Sequence, residues 1–114
     1  MAGYGRHRRR VDPWQKEQER EQQRKADEKA RQYHATKGRL LAGLVPIEFY
    51  DLRTKYGVNL NDLEREVVAT AYSASTGEAT AFLSVYPGVG VTETGHISTR
   101  VWLDPEFLRK LQEA

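Results

Sequence analysis

Val67-Val68-Ala69-Thr70-Ala71-Tyr72-Ser73-Ala74-Ser75-Thr76-Gly77-Glu78-Ala79-Thr80-Ala81-Phe82-Leu83-Ser84-Val85-Tyr86 is the stretch on which the fold turns. Two readings compete for it. Leu60, Leu63, Val67 and Ala71 recur at helical spacing and would line one helix face. Against that, 67–72 and 79–86 are both rich in β-branched and aromatic residues, which suit a pleated surface. Ser75-Thr76-Gly77-Glu78 between them is a turn sequence. Two such runs across a glycine-containing turn predict a β-hairpin, which is the reading preferred here.

Downstream, Pro87-Gly88-Val89-Gly90-Val91-Thr92-Glu93-Thr94-Gly95 has three glycines and a proline and reads as a long loop. A third strand is expected over His96–Leu103. It would have Ile97, Thr99, Val101 and Leu103 on one side, and His96, Ser98, Arg100 and Trp102 on the other. Asp104-Pro105-Glu106 then supplies an N-cap, a proline at the first helical position and an early acid. The apolar stripe of that terminal helix is Phe107, Leu108 and Leu111.

Upstream, Val58–Leu63 reads as a cap and one short helical turn. Pro46 opens a helix over about Ile47–Tyr56, ended by Gly57, with Phe49, Leu52 and Tyr56 on its buried face. Ahead of this lies Pro13–Leu44, in which 15–32 is almost wholly Glu, Gln, Lys, Arg, Asp and Ala. These are mostly strong helix formers. Asp12 is a fitting N-cap and Pro13 a fitting first residue. Glu21 with Lys25, and Asp27 with Arg31, are charge pairs at i,i+4. Trp14, Ala26, Ala30 and Tyr33 look too sparse for a docking stripe, so the rod is expected to meet the body only near Leu40, Leu41, Leu44 and Val45. Gly38 is a candidate break and Gly43 a candidate C-cap.

The expected architecture is therefore α+β: a long polar N-terminal helix followed by a small three-stranded antiparallel sheet packed with short helices. It divides into a basic arm (1–12), the long helix (13–44) and an α+β body (45–114).

Net charge is +2, but it is unevenly spread. Residues 1–10 hold four basic and no acidic residues, 11–44 eight and six, and 45–114 six and ten. The basic character belongs to the extension, and the body is mildly acidic. Any polyanion is expected to meet the N-terminal part. Arg6, His7, Arg8, Arg9 and Arg10 form the candidate nucleic-acid contact, because arginine pairs bidentately with phosphate and stacks on bases. Such clusters also serve as localisation signals or as arms for acidic proteins.

Phe82, Tyr86, Arg100 and Trp102 are the candidate protein interface. Aromatic rings beside a cation can also stack on bases, while core beneath the helices is the commoner use of such rings. Which of them share a face depends on hairpin register.

Little points to catalysis. There is no cysteine, and His7, His34 and His96 have no metal-ligand spacing. Gly88-x-Gly90 lacks a third glycine and a lysine, so it is no phosphate cradle. Glu64 and Glu66 read as a solvated edge, and Ser73, Ser75 and Ser84 sit in no elbow motif. No cofactor, metal or enzymatic activity is expected.

No apolar run is long enough to span a membrane, and the absence of cysteine suits an intracellular setting, cytoplasmic or associated with a nucleoid or particle. The expected function is non-enzymatic: an accessory protein that binds nucleic acid or nucleoprotein through the arm and a protein, a second copy of itself included, through the body. The alternative is a pure protein–protein module, either an assembly component of a larger particle or an inhibitor. By architecture alone, an arginine arm on a polar rod is the sort of component found in virions and ribonucleoproteins.

Overall fold

The computed structural model describes residues 13–114. Its architecture is α+β: helix α1 (Pro13–Leu41), then strands β1 (Val45–Ile47), β2 (Glu66–Tyr72), β3 (Ala79–Tyr86), β4 (Gly90–Gly95) and β5 (Thr99–Leu103). Helix α2 (Phe49–Thr54) and a 3-10 turn (Leu60–Asp62) precede β2, and helix α3 (Pro105–Glu113) follows β5. The strands form one antiparallel sheet in the order β1-β5-β4-β3-β2. β2 to β5 are a meander, and β1 closes the far side by pairing with β5.

The sheet thus has five strands, not the expected three. The hairpin itself forms where the β-branched runs predicted it, with Thr70 opposite Phe82 and Ala71 opposite Ala81. The expected long loop over Pro87–Gly95 is instead a tight turn followed by β4. Gly88 takes φ +75 in that turn, and the Val89 N–H donates to the Tyr86 carbonyl at 2.9 Å. β1 is the second addition: Val45-Pro46-Ile47 pairs with Leu103-Trp102-Val101 and is neither rod nor helix start. The helix after it is shorter than expected, beginning at Phe49. β5 also starts late, at Thr99. Ile97 lies in the turn before it and is 97% exposed, so it is no part of the alternating face.

Register fixes two faces. Ser84, Thr92 and Val101 lie in one row, as do Tyr86, Gly90 and Leu103. This face carries the core: Leu52 and Leu60 pack with Tyr86, Val101 and Leu103, joined by Ile47, Val58, Leu63, Phe107, Leu108 and Leu111. α3 is set on it by the predicted cap, the Asp104 carboxylate accepting from the Glu106 N–H at 2.8 Å. The opposite face presents Leu83, Glu93 and Arg100 in one row and Val85, Val91 and Trp102 in the next. α1 crosses this second face.

α1 ends at Leu41, three residues short of expectation, with Gly43 at φ +80 completing the turn. Gly38 does not break it. A Cβ there would meet nothing within 4 Å. Gly38→Ala is therefore expected to stabilise the protein by about 0.5–1 kcal/mol, through helix propensity alone. A rise in the thermal midpoint of the variant is the measurement; a fall would mean the glycine serves the docked geometry.

Candidate functional site

α1 is the element that organises both candidate surfaces, and its docking comes first. Tyr33 is the one buried residue on it. Its hydroxyl donates to Glu93 at 2.6 Å, and Lys37, one turn on, donates to the other Glu93 oxygen at 2.9 Å. The Lys37 ammonium also lies 5.7 Å from the Trp102 ring centroid, within cation–π reach. Glu93 is thus gripped from above by two donors, with Arg100 beside it in the sheet.

Burial pushes the Glu93 carboxyl up. The hydrogen bonds from Tyr33 and Lys37, with the charges of Lys37 and Arg100, outweigh this and hold it below the usual range. Burial and the neighbouring carboxylate hold the Tyr33 hydroxyl above the usual phenol range. Tyr33 therefore donates throughout the physiological range and does not act as a base.

The rod accordingly meets the body well before Leu40, contrary to the expectation of a purely terminal junction. Ala26, Ala30, Tyr33, Lys37 and Leu40 follow helical spacing, so α1 does carry a docking stripe, built mostly from small and charged residues, with Ala30 at its exposed margin. Toward its N-terminus, α1 and the β2–β3 hairpin enclose an open groove of about 790 Å³, lined by Lys25, Ala26, Lys29, His34, Tyr72 and Ser73 among others. A smaller recess of about 510 Å³ lies where β1 ends beside β5, at Pro46, Phe49, Arg100 and Trp102. Glu64, Glu66 and His96 line neither, and among the described residues no three metal-ligating side chains converge.

The other side of α1 is open. At 100° per residue, Arg20, Arg24 and Arg31 fall opposite Tyr33, with Lys16 one turn before Arg20. All four are exposed. Acids are interleaved: Arg24 pairs with Glu21, and Gln23 donates to Asp27 at 3.0 Å. The row is basic but diluted. Arg6, His7, Arg8, Arg9 and Arg10, the sequence-predicted nucleic-acid contact, lie outside the described residues.

The predicted interface residues do not share a surface. Phe82 and Tyr86 belong to the core face, where Tyr86 is 4% exposed. Arg100 and Trp102 belong to the α1 face, Arg100 exposed and Trp102 half-buried near Lys37. What sequence reasoning missed is Glu93, with Tyr33 and Lys37. The available signal was Tyr33 itself, the one aromatic between Gln15 and Leu41. No helix among the described residues is long and apolar enough to cross a membrane. Compared with known proteins, the chain matches no family model, no curated sequence and no solved structure.

Proposed function

We propose that this chain is a non-enzymatic binding protein that contacts nucleic acid or a nucleoprotein through Arg6, Arg8, Arg9 and Arg10, with α1 extending that contact and the sheet docking protein. The observation that carries the reading is the row Arg20, Arg24 and Arg31 on the outward side of a helix whose inward side is clasped at Glu93. The clasp fixes which way the row faces. From Lys16 to Arg31 it spans roughly 22 Å, and it follows directly on the four-arginine cluster. Duplex DNA presents one charge per ~1.7 Å of axis, so a row of this length faces many phosphates. The interleaved acids make the helix the weaker element and leave most of the affinity to the arm.

Titrating labelled duplex DNA, single-stranded DNA and RNA across a salt series tests this. Four phosphate contacts from the arm give a log–log salt slope of about 3 to 4, because each contact releases counterions. Arg6, Arg8, Arg9 and Arg10→Ala is expected to remove that slope; Arg20, Arg24 and Arg31→Gln is expected to remove a smaller part. Undiminished binding by the arm variant, or no binding by the full chain at low salt, would refute the reading. In the second case the protein–protein alternative takes its place.

A further inference from the structure

The two edges of the sheet are unlike. β1, at one edge, is three residues long with a proline at its centre. Shortness and proline are the usual means by which an edge is closed to further pairing. β2, at the other edge, has seven residues and no proline. Its outer side pairs with no strand among the described residues. Along it Val67 is 50%, Val68 40% and Tyr72 57% exposed. An unpaired ladder of N–H and C=O groups beside exposed apolar side chains is a template for another strand.

We propose that the occupant is a second copy of this chain, β2 pairing with β2 antiparallel about a two-fold axis, so that two five-stranded sheets become one sheet of ten strands. Charge placement selects this occupant. Antiparallel pairing sets the N-terminal end of one β2 beside the C-terminal end of the other. At the C-terminal end, Lys25 and Lys29 of α1 line the groove together with Tyr72, Ser73 and Ala74. At the N-terminal end stands Glu66, exposed and preceded by Arg65 and Glu64, a triplet of net charge −1 in which Glu66 is the acid on β2 itself. Glu66 lies opposite Val85, which is in register with Val91 and Trp102, so it belongs to the α1 face.

A two-fold axis normal to the sheet keeps both α1 faces on the same side. Each groove with its two lysines therefore receives the acidic strand start of the other subunit, and the match occurs twice. The register is irregular at Val67–Ala69 and again at Ala71–Tyr72, which adds local twist along the strand. Such bulges turn an edge partly aside, but unlike a proline they remove no N–H from it. The proposal stands independently of what the arginine arm binds, though a dimer would carry two arms and so steepen any salt-dependent binding.

Sedimentation equilibrium of the full chain is the test, with far-UV circular dichroism to confirm that each variant is folded. The wild type is expected to dimerise reversibly. Val67→Lys with Val68→Lys, both at exposed positions, is expected to give a folded monomer. Lys25→Glu with Lys29→Glu, or Glu64→Lys with Glu66→Lys, is expected to weaken dimerisation about tenfold or more, corresponding to the loss of close charge pairs at an interface. Combining both reversals in one chain is expected to restore it.

A wild type still monomeric at about 1 mM overturns the proposal and leaves the edge to a foreign strand. A dimer that is indifferent to the Val67/Val68 variant, or charge reversals that fail to rescue one another, also overturns it by placing the interface elsewhere.

Discussion

Gly90→Ala is expected to remove a large part of the protein's stability. Gly90 opens β4 and sits between Tyr86 of β3 and Leu103 of β5. A Cβ built on it would stand 2.1 Å from the Trp102 carbonyl oxygen and 3.0 Å from the Leu103 Cα. Both are backbone atoms, so no side chain can swing aside. Relief requires β5 to move away, and β5 carries Val101 and Leu103, 3% and 0% exposed, into the core. Forcing backbone apart in a packed layer costs about 3 kcal/mol or more. Against a total stability of about 5–15 kcal/mol, that is a large fraction. A urea titration should show the midpoint collapsing, or no folded baseline at all. A wild-type midpoint would show that β4 and β5 slide past each other freely. The Gly38→Ala variant, with open space around it, provides the control of opposite sign.

The same glycine explains what the sequence hid. β4 is the central strand, yet it reads Gly-Val-Thr-Glu-Thr-Gly. Apolar alternation is the signal by which strands are found, and here the packing itself suppresses it. Gly90 must be small where β5 crosses, Thr92 fills a narrow buried row, and Glu93 is kept for the helix clasp. Three glycines and a proline in nine residues then look like a loop, although two of the glycines bound a strand.

β1 was hidden differently: three residues have no period to read. By contrast the hairpin and α3 were legible, because β-branched runs around Gly77 and an Asp-Pro-Glu start are local signals that tertiary packing did not override. The predicted interface set depended on register. Phe82 and Tyr86, four residues apart on β3, share a face by alternation, but only the cross-strand pairing shows that Arg100 and Trp102 face the other way.

In sequence α1 looks like a bare rod because its stripe is chemically mixed. A helix with Ala26, Ala30 and Lys37 on its inner side scores as polar, although alanine allows close approach and lysine can be neutralised by a partner. The partner, Glu93, lies in the segment whose glycines and proline read as a loop. One misread strand therefore concealed the docking site as well.

Breaking that clasp is the second large effect expected. Glu93→Ala would leave the Tyr33 hydroxyl and the Lys37 ammonium half-buried without their acceptor. The Lys37 and Glu93 side chains are 25% and 16% exposed, so solvent repairs the loss only in part. Removing one member of a part-buried, charge-assisted network costs about 2–3 kcal/mol. The cost should appear as release of α1. An isolated polar helix is marginal in water, and undocking removes the sheet that orders it. Helical signal should therefore fall in the variant, while near-UV features of the core face persist.

The pH dependence follows with a definite sign. Glu93 has a folded value below its ordinary 4.5. Its contribution is therefore fully present at neutral pH and is lost as pH falls through the folded value. Wild-type stability should drop below about pH 4.5 more steeply than that of Glu93→Gln, which keeps an acceptor oxygen but no charge. The gap between the two should be widest near neutrality and close in acid. A gap independent of pH would mean that Glu93 holds the helix by shape alone, and that the direction in which Arg20, Arg24 and Arg31 face does not depend on its charge.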